Sequence, residues 1–194
     1  MARQYEMAGR VAAMQHTREA ILDAAVELFE PAWFDEVTLA DIARRAGVSQ
    51  QTVVNHFGTK LELYLTGLRE RFAPGIKAVR AAAVPGDVGS IVEAVLRDYE
   101  VTGDGTMRTI TLAGRVEELA AVVERGRRAH REWVASVFAP QLARQRGRPR
   151  ERRLRLLAAV LDVTMWRQLR RDEKLDVEDT RAHLTALVEG VLAR

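Results

Sequence analysis

The chain has 194 residues, of which 47% are hydrophobic and 29% charged, with no cysteine and a formal net charge of +3. That is enough apolar material to bury a core, as one medium domain or two small ones, and the absence of cysteine excludes a disulfide framework and any thiolate metal site. No apolar run approaches the roughly 20 residues of a membrane span, and the opening MARQYEMAGRVAAMQ lacks the apolar stretch and cleavage site of a signal peptide, so the expected compartment is the cytoplasm.

In chain order, the first predicted helix starts after Thr17 and runs to about Glu30, with Ile21, Ala24, Ala25, Leu28 and Phe29 as its inner stripe. Arg3 and Arg10 precede it in a flexible arm that either reaches a nucleic-acid backbone or minor groove or contacts nothing. Thr38 with Asp41 is a variant N-cap, after which Leu39, Ile42, Ala43 and Ala46 recur on one helical face. Gly47 ends that helix, Val48 fills the turn, and Ser49 caps the next helix almost at once. Two helices joined by about three residues make a helix-turn-helix. Thr59 with Glu62 is a full capping box and starts a fourth helix to about Ala73, with Pro74-Gly75 as the boundary.

Read on a wheel of roughly 100° per residue, the helix from Ser49 to Phe57 turns Val53 and Phe57 to the core. Gln50, Gln51, Val54 and Asn55 occupy the opposite arc, with Thr52 and His56 toward its edge. An ordinary surface helix carries Lys and Glu there; this arc has uncharged groups that both donate and accept. Gln and Asn can bond an adenine edge through two contacts, and valine methyls can meet a thymine methyl. Lys60 stands at a helix start, where a cation is mildly unfavourable unless an anion joins it; it is either a phosphate contact or a solvated lysine.

The segments TREAILDAAVELF, TLADIARRAGVS and TVVNHFGTKLEL resemble the TetR family of transcriptional repressors over about the first seventy residues. The resemblance implies DNA contact by Thr38, Gln50, Gln51, Thr52, Asn55, His56 and Lys60, and a homodimer through the last two helices. It has two departures. Val54 stands where the family usually has a backbone-contacting tyrosine, and Trp33, after Pro31, stands where a glycine commonly follows the first helix, so that exit must be capped differently.

Overall basicity is not the signal for DNA. Residues 1–72 hold eight Lys/Arg against ten Asp/Glu, a net of −2, and the remainder 22 against 17, a net of +5. The run Arg144 to Arg155 has seven arginines and one acid, Glu151, and reads as a mobile basic loop between two helices, with a nucleic-acid patch as the alternative. The four histidines, His16, His56, His130 and His183, are isolated from partners at metal-ligand spacing, and there is no phosphate-loop, dinucleotide or nucleophile signature, so no metal, cofactor or catalytic residue is assigned.

Beyond the boundary the pattern is helical throughout. A helix from Pro85-Gly86-Asp87 is predicted to end near Gly103-Asp104-Gly105, with a short one to Gly114 and a long segment to about Arg144 that Gly126 or Pro140 bends or breaks. Helices over Arg150 to Arg171 and Val177 to Ala193 complete an expected nine. Leu154, Leu157, Leu161, Met165 and Leu169 form one face of the eighth, Leu156, Val160, Val163 and Trp166 another; Leu184, Leu187, Val188, Val191 and Leu192 repeat this on the ninth. Either a dimer partner or the subunit itself covers the surplus. Asp162 in the apolar eighth helix satisfies itself within the core or orients a ligand. Tyr99, Met107, Trp133, Phe138, Asp162, Met165 and Trp166 are the candidate lining of an apolar pocket between the fifth and eighth helices.

The expected protein is therefore all-α, with a helix-turn-helix DNA-binding domain over 1–72 and an effector and dimerisation domain over 73–194. It acts at the nucleoid as a homodimeric repressor on a pseudo-palindromic operator of double-stranded DNA, released by a small apolar effector. The competing reading is a non-inducible nucleoid or protein-interaction factor on the same scaffold.

Overall fold

Thr38, Ser49 and Thr59 each stand in extended backbone just before a helix, and each side-chain oxygen accepts the N–H three residues on. Three helix starts are thereby fixed by local chemistry alone. The computed structural model describes the backbone of residues 2–143 and 145–193, and the side chains of residue 7 and of residues 9–143 and 145–193; among these no strand occurs. The helices are α1 (Ala2–Phe29), α2 (Leu39–Ala46), α3 (Gln50–Phe57), α4 (Lys60–Gly67), α5 (Ala73–Ala81), α6 (Val88–Leu112), α7 (Glu117–Val137), α8 (Ala139–Leu142), α9 (Gly147–Val160), α10 (Val163–Arg167) and α11 (Val177–Leu192), with π-helical turns over Leu68–Phe72 and Gln168–Asp172. The chain divides into two compact units, Met1–Gly75 and Ile76–Arg194. Among the described residues no helix is long and apolar enough to cross a membrane.

In the first unit Ile21 and Leu22 of α1, Ile42 of α2, Val53 of α3 and Leu63 of α4 are fully buried together, with Phe57 at the edge. The first helix does not begin after Thr17. The Thr17 hydroxyl donates back to the Ala13 carbonyl at 3.0 Å, so it decorates a continuing helix and caps nothing. The expected flexible arm is helical backbone from Ala2; the side chain of Arg3 lies outside the described residues. Pro74-Gly75 does not end the fourth helix either. Leu68–Phe72 widens into a π turn in which the Ala73 N–H reaches the Leu68 carbonyl five residues back. A widened turn just before a residue that lacks an N–H and crowds the preceding turn lets helical backbone continue to Ala81.

In the second unit α6 runs unbroken through Gly103. A Cβ at that position would stand 2.3 Å from the Trp166 ring, so the glycine ends no helix and instead seats an indole on bare backbone. The expected eighth helix does break, at Leu161, because the Asp162 carboxylate accepts from the Thr164 N–H at 2.9 Å and starts α10. α7 passes through Gly126, and Pro140 falls in the first turn of α8. The arginine run is not a loop: from Gly147 it is α9, with Glu151 taken by Arg131 at 3.2 Å and Arg155 at 2.9 Å; Arg144 lies outside the described residues. Much of the surplus apolar surface on the last helices is consumed internally. Leu161, Val163, Trp166, Leu184 and Val188 are buried in this unit's own core, and Val191 packs on it. Leu156 and Leu187 remain exposed.

Candidate nucleic-acid interface and an interior polar cluster

Gly47, at φ 69°, takes the left-handed conformation that lets the chain turn between α2 and α3, and the Val48 N–H closes on the Ala43 carbonyl at 3.0 Å. Burial of Val53 and Phe57 then fixes which side of α3 faces out. Gln50, Gln51, Val54 and Asn55 are exposed, while Thr52 and His56 are half-buried at the margin. Gln51 Nε2 donates to Asn55 Oδ1 at 2.9 Å, which aligns the two amides and leaves the Asn55 N–H₂ and the Gln51 oxygen for another partner. Thr52 is tied to Ser49 through their hydroxyls at 2.8 Å.

Thr38 is exposed but spends its hydroxyl on the cap of α2, and this bonding holds the Asp41 carboxyl below the usual carboxylate range. Thr59 bonds hold the Glu62 carboxyl low in the same way. Arg44 pairs with Asp41, and Arg45 with Glu27 at 2.6 Å. Both pairs are solvent-exposed, and such pairs are worth at most about 1 kcal/mol, so a phosphate can replace either acid.

Lys60 departs from its expected role. Its ammonium turns inward and donates to the carbonyls of Phe34 at 2.8 Å and Val37 at 2.9 Å, 4.3 Å from the centre of the Phe34 ring. Burial lowers its pKa, with the Asp35 carboxylate opposing. The positive charge at the helix start is thus compensated by carbonyl oxygens, and no phosphate is needed to explain it. The same bonds answer the question raised by Pro31 and Trp33. With no glycine to close α1, the connection is held by Lys60, by the Trp33 N–H donating to the Glu36 carboxylate at 2.9 Å, and by Phe29, Phe34 and Tyr64, whose ring centres lie 5.0–5.8 Å apart.

The residues expected to line a ligand pocket in the second unit do not act as one group. Trp166 and Phe138 are core, 1% and 0% exposed. The Trp166 indole N–H donates to Glu100 at 2.8 Å, and Arg170 holds both oxygens of that carboxylate at 2.7 and 2.9 Å, which keeps Glu100 ionised well down the pH scale. Asp162 is spent as the cap of α10, and Met107 and Met165 are half-buried packing. Tyr99 and Trp133 do converge, around a residue the sequence did not single out. The Arg80 guanidinium lies 4.3 Å from the Trp133 ring centre and 5.1 Å from that of Tyr99, and its Nε donates to Asp98 Oδ2 at 2.8 Å. Thr102 occupies the other Asp98 oxygen at 2.8 Å, and the Trp133 indole donates to the Arg80 carbonyl at 3.0 Å.

His130, one turn before Trp133 and stacked on it, donates from Nε2 to the Ala158 carbonyl at 3.0 Å. Burial pushes its pKa down, and the Arg80 charge adds to that. Burial likewise drives the Tyr99 hydroxyl up to about 12 against the pull of Arg80. Among the described residues, Arg80 Nη1, His130 Nδ1 and Gln141 Oε1 are buried side-chain atoms without a hydrogen-bond partner in the protein. Each such atom costs about 1–3 kcal/mol in a folded protein. Arg80, Asp98 and His130 were not legible as a site because they are 18 and 32 positions apart, and each stands close to other charged residues, Lys77 before Arg80, Arg97 and Glu100 around Asp98, and Arg128 and Arg131 around His130.

Residues 21–66, the segment that carries α2, α3 and their caps, match the family model described as bacterial regulatory proteins, tetR family. The chain is 33% identical over 85 residues to the HTH-type transcriptional regulator AlkX of Mycobacterium tuberculosis, a match that spans 42% of this chain and 38% of that relative. In fold it is similar to a transcriptional regulator from Rhodococcus sp. Rha1, at 20% identity and a TM-score of 0.68, and to NalD of Pseudomonas aeruginosa, the secondary repressor of the MexAB-OprM multidrug efflux pump, at 25% identity and a TM-score of 0.60. Each superposition covers 93% of this chain and 96% of the other.

Proposed function

We propose that this chain, whose N-terminal unit belongs to the tetR family of bacterial regulatory proteins, is a cytoplasmic transcriptional repressor that binds a pseudo-palindromic DNA site as a homodimer and releases it when a small molecule occupies the second unit. The observation that carries the reading is the outer face of α3. Four exposed residues without charge, two of them already aligned by a mutual hydrogen bond, are held outward by two buried ones. Gln50, Gln51, Asn55 and Val54 read base edges and a thymine methyl in the major groove; Thr52, His56 and Thr38 flank them, and Arg44 and Arg45 give up their acid partners to phosphates. Lys60 has no assigned phosphate here and acts by holding the connection between α1 and α2.

Exposed Leu156 on α9 and Leu187 on α11 support dimerisation through these two helices, which pack on each other within the unit. Leu187→Glu then yields monomers by sedimentation at micromolar concentration, whereas a charge at fully buried Val188 unfolds the unit instead. Ligand response is supported by the buried polar cluster around Arg80 and Asp98 within the second unit. A ligand bound there would act by mismatching the two reading heads of the dimer. Selection of bound duplexes from a random pool tests the reading: the expected outcome is an enriched site of two inverted half-sites, and binding without sequence enrichment contradicts it.

A further inference from the structure

We propose that the second unit holds duplex DNA by its phosphate backbone, without regard to sequence, on the arginine-rich outer faces of α7 and α9; this contact is additional to the reading face of α3. The positive charge of the chain is concentrated there. Residues 124–155 hold eleven arginines against three glutamates, a net of +8 in a chain whose total is +3, so the other residues together carry −5. The helices α7 and α9 pack on each other, and Arg131 reaches across to Glu151 at 3.2 Å. Arg127 and Arg128 stand one turn before Arg131 on α7 and are exposed, as are Arg148, Arg152 and Arg155 on α9. On a wheel of roughly 100° per residue Leu156 lies about 140° from Glu151, so the edge of α9 proposed for dimerisation and the edge that meets α7 are different.

The acids within the patch leave most of this charge unmatched. Glu151 is shared by Arg131 and Arg155, and Glu124 lies 3.9 Å from Arg127; Arg128, Arg148 and Arg152 form no ion pair among the described residues. Like charges crowded on one face repel, and a polyanion relieves that repulsion. The make-up of the patch selects among polyanions. A lasting protein partner needs a desolvated apolar or aromatic centre, and an anionic membrane takes a basic face joined to large apolar side chains that enter the lipid. From 124 to 155 no large apolar side chain is exposed among the described residues; Gly126, Ala129, Gly147 and Pro149 stand exposed among the arginines. A DNA backbone requires no such anchor, because its interfaces are polar and positive and guanidinium groups pair with phosphate oxygens. A duplex carries one negative charge per about 1.7 Å of its axis, so it meets several of these arginines at once.

The test uses the full chain and a fluorescent duplex of random sequence and about 30 base pairs, titrated between about 50 and 300 mM salt, with the wild type set against a variant carrying Arg128→Gln, Arg148→Gln and Arg155→Gln. Each lost phosphate contact lowers the slope of log affinity on log salt by about 0.9, so the slope should become shallower by about 2–3 and affinity at the lowest salt should drop about tenfold or more. All three side chains are exposed, so sedimentation and the thermal midpoint should match the wild type. A variant with Lys at the same three positions keeps the charge and should keep the slope. Arg44→Gln with Arg45→Gln, which removes cations from the reading head, should lower the slope by a separate amount that adds to the first, so failure of the head and failure of the patch are told apart. An unchanged slope and affinity in the Gln variant overturns the proposal and leaves the reading head as it stands; a Lys variant as weak as the Gln variant means the loss is structural and overturns it too. Tighter binding of polyglutamate, or of vesicles rich in phosphatidylserine, than of the duplex at the same salt overturns DNA as the occupant in favour of an acidic protein or a membrane.

Discussion

The surface around the helix-turn-helix and the interior of the second unit handle polar groups in opposite ways. In the first, polar side chains near the helix-turn-helix are exposed and find partners three or four residues away: Thr38 with Asp41, Ser49 with Thr52, Gln51 with Asn55, Thr59 with Glu62. In the second they are drawn inside and paired over long separations, Arg80 with Asp98, Trp133 with Arg80, Trp166 with Glu100. Local, solvated pairs stiffen a surface without tying it to the core, and so leave it free to exchange partners with an external ligand. Buried, distant pairs hold helices together, and a change at one of them is felt by every helix it joins.

If that contrast is right, the largest effect of removing one group falls in the second unit. Asp98→Ala leaves the Arg80 charge buried without its acid, and we expect a loss of about 3–5 kcal/mol in urea unfolding monitored at Trp133 and Trp166. A loss below about 1 kcal/mol would mean that water reaches the pair and the interior is not sealed. Lys60→Ala probes a long-range contact of the first unit, where, as in the Arg18–Glu70 pair, the partners are distant in sequence, here 23 and 26 positions away. It should cost about 1–3 kcal/mol of stability by leaving two carbonyls unpaired while the salt dependence of DNA binding stays the same. A slope reduced by about one per half-site with unchanged stability would restore the lysine to phosphate contact. Ser49→Ala removes a local cap and should cost about 1 kcal/mol, read by thermal unfolding.

Legibility followed the same division. The caps, the turn at Gly47 and the exposed arc of α3 were readable because each depends on residues within one helical turn. Thr17 misled because a threonine before an apolar stripe resembles a cap whether it accepts a bond from the following turn or donates to the preceding one. Gly103 misled because a glycine's reason for being there lay 63 positions away, in the Trp166 ring. Asp162 was seen as an acid inside an apolar helix when it is the acid that starts a new one. Lys60 was read from its helix alone, and its partners belong to the preceding connection. Arg80 and His130 gave no local signal, since what defines them is the set of bonds that others around them do not leave open.

The pH dependence of the second unit gives the smallest effect. Burial lowers the His130 pKa in the folded chain, so below the unfolded value of about 6.5 the unfolded chain takes up a proton that the folded one refuses. The neutral imidazole's contribution is therefore fully present above about pH 6.5 and is lost as the pH falls toward the folded value. Urea midpoints should decline from pH 7.5 to 5.5 more steeply in the wild type than in His130→Phe; equal slopes would mean the imidazole is solvated.

The central claim, that α3 offers its uncharged arc to base edges, is tested most directly by Asn55→Ala and Gln50→Ala, with affinity measured for the selected site and for random duplex at one salt concentration. Each should lose about 1–3 kcal/mol on the selected site and almost nothing on random DNA, because base contacts discriminate and phosphate contacts do not. Equal losses on both, or none on either, would contradict it.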